Sequence, residues 1–177
     1  MYQRKLVSGR GGNISYKYKE SGETKIAITA SGTSFKDIKN KDVLITDLLG
    51  NIKYGDGTPS SELGMHLAIY KKRPDLNSII HTHSPYASGF AFSDIKLKKL
   101  EGFGTINNEF ISIVDYAPPG SVELANCTSK LMEKENVVIL QNHGVIAAEK
   151  DINEAALLAE FVEESAKTQL VSYILNL

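Results

Sequence analysis

The hydrophobic period of this chain changes near residue 58, and that change constrains the fold more than any other feature. Before it, Ile14 to Lys19 alternate as Ile-Ser-Tyr-Lys-Tyr-Lys, and Lys25 to Ala30 and Val43 to Thr46 are short runs rich in β-branched residues. Alternation of this kind puts successive side chains on opposite faces, so the N-terminal third reads as strands. Leu49-Gly50-Asn51 and Gly55-Asp56-Gly57 read as the turns between them. After the change, Leu63, Leu67 and Tyr70 recur at i, i+4 and i+7 until Pro74. That spacing predicts a helix of about three turns, with Thr58 as its cap and Pro59 at its first position.

The two patterns then mix. Ser78 to His83 reads as a strand, Tyr86 to Phe92 as helix, and Phe110 to Tyr116 as strand. Pro118-Pro119-Gly120 is a turn, and Ser121 is placed to cap a helix to about Glu135. Val137 to Gln141 and Val145 to Ala148 are strands flanking Asn142-His143-Gly144. Asp151 with Glu154 resembles a capping box, and Ala155, Leu158, Ala159, Val162, Ala166, Leu170 and Tyr173 carry one long terminal helix. Strands and helices mixed without strict βαβ alternation predict an α/β domain whose sheet is largely antiparallel. No repeat or linker divides the 177 residues, so one domain over 1–177 is expected.

Charge and cysteine usage narrow the function. With 20 Lys+Arg against 21 Asp+Glu the chain has no broad basic field, which argues against nucleic acid as a partner. No apolar run reaches the roughly 18 to 20 residues of a bilayer span, and Met1 to Ser8 lacks a secretory signal's apolar stretch, so a soluble, cytoplasmic protein is expected. The single Cys127 cannot form an internal disulfide and excludes Cys-rich zinc modules. It reads as a small buried hydrophobe. The lysine run Lys96 to Lys99 reads as solvated.

The chemistry concentrates in the histidines. Side chains two apart on a strand share a face, so His81 and His83 project together at a spacing that suits one metal ion. His143 stands at a strand end, before a glycine that allows a sharp turn. Three neutral imidazoles leave a coordination position open, the arrangement of a catalytic zinc site, although other divalent metals suit such ligands too. Glu62 follows Ser60 and Ser61 at the expected helix N-terminus, where free amides and the helix dipole favour an anion. Gly9 to Asn13 and Thr29 to Thr33 are small-residue bends that could join Ser60 and Ser61 in one phosphate pocket.

Taken together, GGNIS (Gly11 to Ser15), TASGT (Thr29 to Thr33), PSSE (Pro59 to Glu62), HTH (His81 to His83), YAPPGSVELA (Tyr116 to Ala125) and LQNHGVI (Leu140 to Ile146) resemble, in order and spacing, the class II aldolases of the aldolase/adducin superfamily. The resemblance spans nearly the whole chain and is nearest to the aldolases that split L-fuculose 1-phosphate. It implies a layered α/β/α domain with a mainly antiparallel central sheet. It further implies His81, His83 and His143 as Zn²⁺ ligands, Glu62 as catalytic acid/base, and Asn13, Ser31, Gly32, Ser60 and Ser61 as phosphate-binding positions. The implied reaction splits a ketose 1-phosphate into dihydroxyacetone phosphate and a short aldehyde such as lactaldehyde, through a metal-stabilised enediolate. A homotetramer is implied by the same analogy.

The superfamily also holds a sugar-phosphate 4-epimerase, whose motif usually has Asp where this chain has Glu62, a methylthioribulose-1-phosphate dehydratase, and the non-catalytic adducin head, from which lost ligand histidines would be expected. Family members usually carry a longer segment before the GN motif than the twelve residues preceding Asn13, and often a C-terminal tail with a catalytic Tyr. None of Tyr86, Tyr116 or Tyr173 takes that part on sequence grounds.

Overall fold

The computed structural model describes residues 1–100 and 108–177. Four strands form the N-terminal part: β1 (Asn13–Glu20), β2 (Glu23–Thr29), β3 (Val43–Thr46) and β4 (Ile52–Tyr54). Helix α1 (Leu63–Lys72), strand β5 (Ser78–Thr82) and helix α2 (Pro85–Ala91) follow, then β6 (Ser112–Val114), α3 (Val122–Leu131), β7 (Val137–Leu140), β8 (Gly144–Glu149) and α4 (Ile152–Leu175). Among the described residues the strands form one eight-stranded sheet in the order β4-β3-β2-β1-β5-β8-β7-β6. Every neighbouring pair is antiparallel except β6 and β7, whose parallel pairing is made through the α3 crossover.

Alternation along the central strands splits the core in two. Ile79, Val138, Leu140, Ile146 and Ala148 join one cluster with Met65, Ile69 and Tyr70 of α1 and Leu124 of α3. Ile80, Val137, Ile139, Val145 and Ala147 join the other with Ala87 and Phe90 of α2 and Ala155, Ala159, Val162 and Ala166 of α4. β5, β7 and β8 are therefore apolar on both faces, and their burial anchors the strand ends on which the histidines sit.

Several expectations shift on contact with the structure. The first helix begins at Leu63 with Glu62 as its N-cap, not at Pro59. Pro59 instead bridges Ala30, the Ser31 amide donates to the Thr58 carbonyl at 2.8 Å, and the Ser60 amide donates to the Thr29 carbonyl at 3.2 Å. These long-range bonds hold 58–60 extended against the local preference for a cap. Ser121 caps α3 as expected, accepting from the Leu124 amide at 3.1 Å, but the helix ends at Leu131. Asp151 caps α4 through the Asn153 amide at 2.7 Å. The short β4 lies between the two expected turns, its three residues all exposed. Cys127 is exposed rather than buried. Lys99 is not solvated: its ammonium donates to Glu135 Oε2 at 2.9 Å with only 9% of the side chain accessible.

Candidate metal and sugar-phosphate site

β5 delivers His81 and, one residue past its end, His83; the turn between β7 and β8 delivers His143. Their ligand nitrogens all lie within 4.8 Å of one another. His81 Nε2 stands 2.8 Å from His83 Nε2 and 3.3 Å from His143 Nε2. His81 Nδ1 lies 3.0 Å from the Val145 carbonyl, which can only accept, so Nδ1 carries the proton and Nε2 presents a lone pair. One lone pair cannot accept from both partners. Burial pushes all three imidazoles below the usual histidine range, His143 to about 4, and their mutual repulsion adds to the effect on His81 and His143. Three neutral imidazoles with their ligand nitrogens crowded together fit a divalent cation, and a Nδ1–H to backbone carbonyl bond is the usual orienter of such a ligand.

The backbone around the cluster is closed by glycines. A Cβ on Gly12, which has φ +77°, would stand 2.6 Å from the His81 carbonyl oxygen. One on Gly11 would stand 3.1 Å from His83 Nδ1. One on Gly144 would collide with the Thr82 carbonyl and sit 3.0 Å from the His83 ring and 3.2 Å from the His81 ring. The sharp turn expected of Gly144 is made by Asn142 instead, at φ 56°; Gly144 is there because no side chain fits.

Glu62 lies at the same end of the sheet. It is 4% exposed, and both carboxylate oxygens lack a hydrogen-bond partner among the described residues. Burial raises its pKa above the usual carboxylate value, with the nearby Gly120 amide opposing. Gly120 itself, at φ +76°, leaves 3.2 Å between a would-be Cβ and the Ser61 carbonyl, so the Pro118–Gly120 turn packs directly on the PSSE segment. The sequence showed a turn there, yet nothing in it pointed to this contact.

One helical turn beyond Glu62, His66 is fully buried. Its Nδ1 lies 2.7 Å from Ser15 Oγ, which lies 2.8 Å from the Tyr70 hydroxyl. Tyr70 in turn donates toward the Ser15 and Asn77 carbonyls. His66 is thus a buried, neutral clamp of α1 on β1, its pKa driven by burial to about 3.

The expected phosphate positions gather around the same strand ends. Asn13 is 5% exposed, faces His81 directly across the β1–β5 ladder, and has an unpartnered Oδ1 among the described residues. Ser31 and Gly32 are exposed on the bend after β2, Gly32 at φ +73°. Ser60 is buried and its Oγ accepts from the Glu62 amide at 3.3 Å, whereas Ser61 is exposed. The amides of Ser31, Ser60 and Glu62 are thus already engaged within the protein.

Residues 1–170 match the family described as Class II Aldolase and Adducin N-terminal domain. The chain is 41% identical over 176 residues to an L-fuculose phosphate aldolase of Methanococcus maripaludis (strain C5 / ATCC BAA-1333), covering 99% of this chain and 91% of that protein. It is 36% identical over 171 residues to a 5-deoxy-D-ribulose 1-phosphate aldolase of Bacillus thuringiensis serovar kurstaki, covering 94% and 79%. A solved structure named L-fuculose 1-phosphate aldolase superposes with a TM-score of 0.85 at 32% identity, covering 98% of this chain and 81% of that one.

Proposed function

The chain belongs to the Class II Aldolase and Adducin N-terminal domain family, and from that premise we propose that it is a zinc-dependent aldolase splitting a ketose 1-phosphate, such as L-fuculose 1-phosphate, into dihydroxyacetone phosphate and a short aldehyde. The observation that carries the reading is the convergence of three neutral imidazoles at the sheet end that also holds a buried carboxylate.

His81, His83 and His143 would hold the ion. Bound there, a divalent cation supplies Lewis-acid polarisation of the ketone, the electron sink that C3–C4 cleavage requires. Glu62 moves the proton: its carboxyl group is buried with the Gly120 amide beside it, and burial raises its pKa above the usual carboxylate value. Asn13, Ser31, Gly32, Ser60 and Ser61 would hold the phosphate, so that binding energy from the non-reacting end fixes the reacting carbons. The reading extends to a cytoplasmic homotetramer of one three-layer α/β/α domain, with no membrane or nucleic-acid partner. In keeping with it, no helix among the described residues is long and apolar enough to cross a membrane. Light scattering on the purified protein tests the tetramer.

Release of dihydroxyacetone phosphate from a panel of ketose 1-phosphates, fuculose, rhamnulose and 5-deoxyribulose forms included, tests the reaction. Release should vanish on chelation, return with Zn²⁺, and be absent in Glu62→Gln with metal content unchanged. Metal-loaded protein that releases nothing from any member of the panel, or a fully active Glu62→Gln, overturns the reading.

A further inference from the structure

We propose that Arg10 is a specificity-determining residue whose guanidinium binds the phosphate of the substrate; the inference rests on the sugar-phosphate reading above. The positions assigned to phosphate are all uncharged, and the nearest acidic position in the chain, Glu62, follows them directly. A phosphate dianion held by hydroxyls and one amide, with a carboxylate next in sequence to two of them, lacks a countercharge. The structure places one within reach. A Cβ on Gly32 would lie 4.0 Å from both Cδ and Nη1 of Arg10, so the arginine side chain lies along the outside of the Thr29–Thr33 bend. Arg10 is exposed, and its guanidinium makes no ion pair or hydrogen bond among the described residues.

The backbone shows why this residue spans the two halves of the site. Its neighbour Gly11 abuts the His83 ring, Gly12 abuts the His81 carbonyl, and Asn13 pairs with His81 across the ladder. The segment is thus pinned to the imidazoles on one side while the Arg10 side chain reaches the Gly32 bend on the other. Gly9, at φ +57° with nothing near it, sets the direction of the chain entering this segment. An unpaired guanidinium with planar, paired donors is the side chain best matched to a phosphate, and an exposed one is free to close over it.

Two measurements on the full-length protein test this. Inorganic phosphate and dihydroxyacetone phosphate are titrated calorimetrically into wild type, Arg10→Gln and Arg10→Lys, with and without Zn²⁺. Loss of the charge-assisted contact should weaken both ligands roughly 10- to 100-fold in Arg10→Gln, with partial recovery in Arg10→Lys and a shallower salt dependence. Steady-state kinetics should show at least the same factor lost in kcat/KM, with partial recovery in Arg10→Lys. Equal phosphate affinity in wild type and Arg10→Gln overturns the proposal whatever the turnover. A wild type that binds phosphate through Arg10 but cleaves no ketose phosphate sustains it and removes the aldolase reading instead.

Discussion

Gly144 stands against Thr82 with no room for a methyl group between them, and the two histidine rings flank the same spot. The contact lies where β8 leaves the His143 turn, so any side chain there must push His81 and His83 apart. Gly144→Ala should weaken metal binding roughly 10- to 100-fold, as loss of a ligand's supporting contacts does, and cost about 1–3 kcal/mol of stability. Gly64→Ala is the matched control: Gly64 lies in α1 with nothing within 4 Å, and a helical alanine there should add about 0.5–1 kcal/mol. Metal competition titration and urea unfolding read both.

Zn²⁺ should raise the unfolding temperature of the wild type with the logarithm of its concentration above Kd, by about 2.7 kcal/mol of added stability at a hundred times Kd. His143→Ala should abolish that response with the metal-free melting curve little changed, because removing the imidazole relieves crowding among three neutral rings. Differential scanning calorimetry with and without Zn²⁺ makes the comparison; an undiminished response in the variant would show that His143 is not a ligand.

The metal-free protein should lose stability in acid from a higher pH than its carboxylates alone would give. His66 sits at about 3 and His143 at about 4 in the folded state, against about 6.5 unfolded. Between those limits the unfolded chain binds more protons, so stability is complete above about pH 6.5 and falls as the pH drops toward 3. The fall is up to about 1.4 kcal/mol per pH unit for each imidazole, and His81 and His83 act in the same sense. Urea unfolding of chelated protein at pH 5 and pH 7 measures the drop, and His66→Gln should make it one proton shallower.

Glu62→Gln should make the protein more stable while silencing it. A group whose folded pKa is raised loses stability as pH rises through the unfolded and then the folded value, so at neutral pH the buried carboxylate is a net cost. A neutral amide of the same shape removes that cost, for a gain of about 0.5–2 kcal/mol. A variant less stable than wild type at pH 7 would mean the carboxylate is satisfied by a partner that Gln cannot match.

Much of this was legible in the sequence because local signals and tertiary demands agree. His81 and His83 converge because β5, buried on both faces, delivers one and its end the other, and Ser121 caps where its helix needs a cap. The misreadings arise where they disagree. Thr58-Pro59 has helix-start chemistry, yet the β2 end recruits it into extended pairing. Leu170 and Tyr173 continue the helical stripe of α4 but lie 40% and 39% exposed, beyond the sheet that buries Val162 and Ala166. Close approaches such as Gly12 to His81 and Gly120 to Ser61 join residues tens of positions apart and leave no local trace beyond the glycine itself.

The glycines that enclose the imidazoles divide the site into a part that tolerates change and a part that does not. Where backbone abuts backbone at Gly12 and Gly144, every alternative residue is excluded on volume alone, so the metal end is closed to mutational exploration. Arg10 stands one residue outside that enclosure with its side chain exposed. Selection acting on such a chain can exchange the grip on one end of a substrate without disturbing the chemistry at the other, which lets one scaffold diversify its substrates through single substitutions.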